Sequence, residues 1–335
     1  MIQACVRDLE NGEAELWDEL VSASPQGTIF HNYFWLESNS KLFNRELKIF
    51  GYFKGDILVG GCSLYIAEYK LIKFASSTVD LTPYGGLVFN QLPSSGKIRE
   101  QESMSNEIIN AIIKSIDVPE LSYIKLTNSP GLIDIRPFSR SGWKSRVLYT
   151  YYFDLNGEID LKISKKTRNV VRKAAKSRIT IKKSRDVDAF YSMYAMTFER
   201  QGLKPPAPMG HIEKMIELID AKAAGDMWIA ETDSGVAVAA EIFIWDNKRA
   251  YRWLAASNPN YREIGAPSYL LHEVFQHLKE NGFKEVNLMA ANTPNLTKFI
   301  SGFNPRLVPY YSVEKKSFLG KLGEICYPYL RRLRL

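Results

Sequence analysis

Cysteine and histidine are scarce in this 335-residue sequence, with three of the first and four of the second. Cys5, Cys62 and Cys326 are odd in number, far apart and in no C-x-x-C spacing. That excludes a disulfide framework and a thiolate metal set, and it reads as reduced thiols in a cytoplasmic protein. The only close histidines, His272 and His277, are five apart in a predicted helix and share no face, so no metal site is expected. No apolar run reaches the roughly 18 residues that a membrane span needs. Met1-Ile-Gln-Ala-Cys-Val-Arg-Asp8 has no basic segment leading into an apolar run, so no signal peptide is expected. Acids are also missing from one long stretch, between Asp160 and Asp186.

What is present is ordinary for a globular protein: 45% hydrophobic and 24% charged residues. The length favours two domains over one. A net charge of +7 suits an anionic partner such as a nucleotide, tRNA, phosphorylated lipid or anionic membrane.

The stretch from Arg249 to Asn304 carries the clearest local design. Arg249–Ala256 alternates as a strand, and a Pro- and Gly-bearing loop follows. A helix over Ser268–Lys279 then has Leu270, Leu271, Val274, Phe275 and Leu278 on one side. The Gly265 loop thus feeds a helix N-terminus, whose backbone N–H groups favour an anion.

Earlier in the chain, helices are predicted over Glu13–Ser24 and Glu102–Ile116. Strands are predicted over Leu47–Phe53, Ile57–Ile66, Lys70–Ala75, Gly86–Phe89, Tyr123–Asn128 and Arg146–Leu155. The hydroxyl-rich segment Ser76–Gly86, which contains Tyr84, reads either as a pocket wall or as a hairpin loop. His31 sits in an aromatic cluster and reads either as a hydrogen-bonded core residue or as a binding residue.

Ser164 is placed to cap a basic helix on which Arg168, Arg172 and Lys176 share one face, with Val171 and Ala174 on the packing side. Like charges at i, i+4 repel, so this face reads as an anion site or as a solvated surface. Helices over Asp186–Gln201 and His211–Ala221 follow. A hairpin turning at Asp233-Ser-Gly235 then leads to the strand Val236–Ile244, which carries Glu241. The order of helices, hairpin, strands, helix and strand occurs twice. Phe50–Gly61 corresponds to Trp228–Ala239, and residues 102–128 correspond to 268–290, a sign of internal duplication.

Four segments carry a resemblance over nearly the whole length. They are Ser164-Lys-Lys-Thr-Arg-Asn-Val-Val-Arg-Lys-Ala174, Thr197-Phe-Glu-Arg-Gln-Gly-Leu-Lys-Pro-Pro206, Gly265-Ala-Pro-Ser-Tyr-Leu-Leu-His272 and Asn295-Leu-Thr-Lys-Phe-Ile-Ser-Gly-Phe-Asn304. In order and spacing they resemble the Fem-type (FemAB-like) tandem GNAT-fold acyl- and aminoacyltransferases. The resemblance implies an α/β (α+β) fold of two tandem GNAT-like domains, each a mixed, mostly antiparallel sheet flanked by helices. The expected boundaries are 1–155 and 156–316, with a basic amphipathic helix over 317–335.

The resemblance further implies transfer of an acyl or aminoacyl group to a primary amine, on an amino sugar or cell-envelope precursor. Acyl-CoA or aminoacyl-tRNA would be the cosubstrate, with no tightly bound cofactor and no DNA partner. The alternative is a non-catalytic GNAT-fold protein that binds an anionic ligand. Glu241 is the candidate general base, and Lys298 the group that orients the leaving group. Arg252, Tyr261, Arg262, Gly265, Ala266 and Ser268 would hold the donor phosphate. His31, Arg168, Arg172 and Tyr84 would serve the acceptor or another anion.

Two departures from the family pattern stand out. In Arg262-Glu-Ile-Gly265-Ala-Pro267, proline replaces a donor of the pyrophosphate loop. Lys298 occupies the position of a tyrosine acid, and Ile300 occupies that of the lysine in Phe-Lys-x-x-Phe. The expected location is cytoplasmic, peripheral at the inner membrane face through 317–335.

Overall fold

The computed structural model describes residues 4–10, 12–69, 72–90, 97–200, 202–289 and 291–317. The expected terminal helix therefore lies outside the described residues. In chain order the elements are β1 (Ala4–Asp8), α1 (Ala14–Ala23), α2 (Tyr33–Phe43), β2 (Glu46–Lys54), β3 (Ile57–Tyr69), β4 (Ile72–Ser76), β5 (Gly86–Phe89), α3 (Ile98–Ile116) and β6 (Leu121–Thr127). Next come α4 (Arg136–Arg140), β7 (Lys144–Asp154), α5 (Ile159–Lys162), α6 (Lys165–Ala175), β8 (Thr180–Lys183), α7 (Val187–Glu199) and α8 (Met209–Ala221). The rest are β9 (Gly225–Glu231), β10 (Ala237–Trp245), β11 (Ala250–Ser257), α9 (Ala266–Glu280), β12 (Glu285–Asn287), α10 (Pro294–Ile300) and β13 (Arg306–Lys316). Among the described residues no helix is long and apolar enough to cross a membrane, and no cluster of His, Cys, Asp or Glu could hold a metal ion.

The chain forms two compact units, one of residues up to Leu148 joined by the chain from Pro309, the other of Tyr149–Val308. The return of β13 to the first unit differs from the contiguous boundaries expected above. Its Ser312–Lys316 segment pairs antiparallel with β6, which linear sequence gives no means of seeing.

In the first unit β2 and β3 form the expected hairpin, and β4 pairs antiparallel with β3 and parallel with β6. The strands at Ile72–Ser76 and Gly86–Phe89 are not a hairpin. β5 pairs with β3 instead, through Gly60↔Phe89 to Ser63↔Gly86. The isoleucine stripe of α3, Ile108, Ile109, Ile112, Ile113 and Ile116, is buried in this unit's core. Each fully buried side chain of this size contributes roughly 1.5–3 kcal/mol relative to exposure.

In the second unit β8, β9, β10 and β11 form an antiparallel ladder, β12 joins parallel to β11, and the Tyr152–Asp154 part of β7 pairs with β12. The predicted stripe of α9 faces the core, where Phe153 stacks on Phe275 at 4.5 Å and Phe303 meets Phe275 edge-on. Asp186 caps α7 by accepting from the Ala189 N–H, as Ser164 caps α6 by accepting from the Thr167 N–H.

Candidate active site of the second unit

The parallel strands of the second unit part almost at once. β11 and β12 pair only at Ala250↔Val286 and Tyr251↔Asn287. β11 then continues to Ser257, about 20 Å at the usual rise per residue. Leu288 N–H turns instead to the Tyr151 carbonyl at 2.8 Å. The inner edge of β11 beyond Tyr251 therefore no longer meets β12, leaving a fork at the carboxyl ends of two parallel strands. Ligands of open α/β sheets settle in such crevices.

Two asparagines hold the far prong. Asn287, fully buried, takes the Thr150 hydroxyl at 2.6 Å and the Met289 N–H at 2.9 Å on its side-chain oxygen. Asn292 accepts from Tyr149 N–H and donates to Tyr149 O, both at 2.9 Å. Neither was singled out from the sequence. The available signal was Asn287 itself, a polar residue that ends an apolar strand.

The equivalent fork of the first unit is laced shut. Past the Ser76↔Lys125 pair, Ser77 N–H reaches Lys125 O, Thr127 N–H reaches the Ser77 hydroxyl, and Gly85 N–H reaches Thr127 O, each at 2.9 Å. Gly85 has no room for a Cβ, which would meet the Ser77 backbone. The hydroxyl-rich segment thus laces β6 through Ser77 and Gly85.

A bulge supplies the charged pair at the open fork. Glu241 opposes Ala255, and Phe243 would oppose Trp253 in an unbroken ladder, but the register shifts and Phe243 opposes Arg252. One extra residue in β11 therefore turns Arg252 onto the face that Glu241 and Phe243 share. Arg252 donates Nε and Nη2 to the two Glu241 oxygens, both at 2.6 Å, with Glu241 2% and Arg252 8% exposed. Its guanidinium also lies 5.7 Å from the centre of the Phe299 ring on α10. Burial pushes the Glu241 carboxyl above its ordinary value, and the adjacent Arg252 charge opposes that shift.

These contacts change the expected roles. Glu241 is neither an outward-facing carboxylate nor a free base, because both of its oxygens are taken. Arg252 is likewise committed to Glu241 and is not a free phosphate ligand.

Three of the four sequence segments that carried the resemblance meet at α6. Gly265 has φ of 73° at the start of α9, and a Cβ there would lie 2.6 Å from Val170 Cγ1. Gly302 packs just as closely on Thr167, and its carbonyl accepts the Ser164 N–H at 2.9 Å. Small residues thus set the helix–helix approach.

At the turn into α9, Ser268 and Tyr269 N–H groups both point to Gly265 O, Pro267 has no N–H, and Ala266 is buried. Fewer donors remain for an anion than the spacing suggested. Tyr261 packs against the core and Arg262 is exposed. Lys298 is exposed on α10, beside Phe299. Ile300 is fully buried in the core, where a lysine would put its charge.

The remaining candidates lie elsewhere. Arg168 is half-buried and donates to Asp160 O at 2.8 Å, while Arg172 is exposed. His31 and Tyr84 belong to the interior of the first unit. His31 is fully buried with Nδ1 against the Thr28 hydroxyl at 2.8 Å, and Tyr84 stands edge-on to Phe30 and Tyr310. Both are core residues, not the acceptor-binding surface expected of them.

His272 sits between Asp160 at 3.2 Å and Glu273 at 3.1 Å. Burial alone would lower its pKa, but the hydrogen bond and charge of Glu273 with those of Asp160 prevail and raise it. The stabilisation this gives is complete below the unfolded value near 6.5 and is lost as pH rises through the raised folded value. NMR titration is expected to place the His272 midpoint above 6.5 and Asp160→Asn to lower it. A midpoint at or below the unfolded value would remove the pairing.

Comparison with known proteins agrees with this architecture. Residues 162–295 match the acetyltransferase (GNAT) domain family. No curated protein sequence matches the chain. Among solved structures, FemX is 11% identical with a TM-score of 0.69, covering 91% of this chain and 96% of its own. The C-terminal domain of a putative lysylphosphatidylglycerol synthetase from Agrobacterium fabrum is 13% identical, with a TM-score of 0.54 and coverage of 95% and 96%. A tandem GNAT protein from the clavulanic acid biosynthesis pathway is 11% identical, with a TM-score of 0.53 and coverage of 94% and 98%. With a GNAT domain in its second half and this likeness along its length, the chain is a tandem GNAT-fold protein, Fem-like in architecture.

Proposed function

We propose that the second unit transfers an acyl or aminoacyl group to a primary amine, on an amino sugar or cell-envelope precursor. The observation that carries this is the open β11–β12 fork with the buried Glu241–Arg252 pair, against a laced fork in the first unit. In the reaction the amine nitrogen bonds to the acyl carbon and the bond from that carbon to the donor sulfur or oxygen breaks. The amine proton leaves with the departing thiolate or alkoxide. The edge of β11 beyond Tyr251 would supply main-chain donors for the oxyanion. Glu241 then acts as a positioning residue that fixes Arg252, and exposed Lys298 is the cation available to the leaving group.

A neighbour named for lysylphosphatidylglycerol, an aminoacyl lipid, favours an aminoacyl donor such as aminoacyl-tRNA over acyl-CoA. The missing donor at Pro267 points the same way. Arg168 and Arg172 on α6 remain candidates for contact with that donor. Pro267 and a committed Arg252 also favour a second reading, a binding protein without turnover.

Incubation with panels of acyl-CoAs and aminoacyl-tRNAs, each with amine acceptors, and mass spectrometry of the products separates these readings. Turnover supports transfer, and saturable binding without product supports the second. With a verified pair, Glu241→Gln is expected to lower kcat by about 100-fold, the scale of an ångström-sized misplacement in a site. Wild-type kcat in a variant of native circular dichroism would remove Glu241 from the machinery.

A further inference from the structure

A cleft of the second unit, about 690 Å³, lies away from the fork, at the amino end of β12. Its walls include Tyr152, Asp154, Lys162, Lys284, Glu285 and Arg306. The ring of Tyr152 carries the Arg249 guanidinium at 5.0 Å and that of Arg306 at 5.5 Å. Among the lining residues three cations, Lys162, Lys284 and Arg306, stand against the carboxylates of Asp154 and Glu285, so one positive charge is in excess.

The acceptors in this cleft are already engaged. Asp154 takes Lys162 on one oxygen at 2.5 Å and the Asn156 main-chain and side-chain N–H groups on the other. Glu285 faces Arg306 at 3.0 Å and Arg249 at 3.6 Å. The donors are not spent. Lys284 Nζ meets no partner among the described residues, and Arg306 commits only one Nη to Glu285. A cleft with donors to spare and its carboxylate oxygens engaged selects an anion. The free donors, Lys284 Nζ and the uncommitted Arg306 nitrogens, can serve more than the two oxygens of a carboxylate, which suits the oxygens of a phosphate.

The geometry points to this cleft as a binding site for a phosphate-bearing small molecule, distinct from the acyl-transfer fork. Lys284 and the open side of the Arg306 fork bind the phosphate oxygens, and the remaining volume takes the organic part. The site stands whether or not the fork is catalytic.

Its test is an NMR titration of the Arg306 Nε–H signal in the full chain, with inorganic phosphate and, separately, acetate, which needs no turnover. A saturable shift with phosphate, about tenfold weaker with acetate and about tenfold weaker in Lys284→Met, is the expected result, the scale of one lost charge-assisted contact. Lys284 is exposed, so the variant keeps the wild-type circular dichroism, and Arg306→Gln with calorimetric readout gives an independent check. No saturable shift, equal response to acetate, or wild-type affinity in both variants would overturn the assignment.

Discussion

Arg252→Ala is expected to lower the unfolding free energy by about 3–5 kcal/mol, because it leaves the Glu241 carboxylate buried without its partner. The pair itself contributes far less than that, since two charges had to leave water to form it. Replacing both residues together, as Glu241→Leu with Arg252→Met, is therefore expected to recover most of the loss. Denaturant unfolding of the two single variants and the double variant gives the coupling directly. If the Arg252→Ala loss is below about 1 kcal/mol, the level of an exposed pair, the two charges are not sequestered as described.

Ile300→Lys is the second large effect. By family pattern this substitution would restore a missing cation, and a sequence-only reading would expect a gain. The side chain is instead fully buried with Phe303, Phe275 and Leu270. A lysine there is expected to cost on the order of 4 kcal/mol, while Ile300→Val costs about 1 kcal/mol by volume loss alone. Thermal and denaturant unfolding of both variants distinguishes these outcomes. A lysine variant as stable as wild type, with increased transfer, would return position 300 to the site. A cation already stands near α10, on β11: Arg252 lies over the ring of Phe299, the residue before Ile300.

That contrast marks what was legible in the sequence. Periodicity found the core face of α9, the cap at Ser164 and the β2–β3 hairpin, because each depends on spacing within one segment. The glycines of Gly265-Ala-Pro267 and Ser301-Gly302-Phe303 were visible as motif letters, but their partners Val170 and Thr167 are set by packing across distant segments. Glu241 and Arg252 were both named, yet as base and phosphate ligand. Their pairing hangs on one extra residue at Trp253, and a one-residue register shift leaves no trace in composition or alternation. His31 and Tyr84 show the opposite error. Polar tips among aromatics suggested a binding surface, where the structure buries both.

The laced fork of the first unit bears on how a duplicated fold can diverge. Two copies of one architecture begin with two equivalent crevices. Ser77 and Gly85 close one of them with hydrogen bonds of ordinary length. From then on, substitutions in that copy are judged by packing alone, while those in the other also answer to a ligand. Tolerance to change should therefore be unequal between the halves: broad along the β4–β6 seam wherever volume is kept, and narrow at Arg252 and Asn287, where volume alone would not suffice.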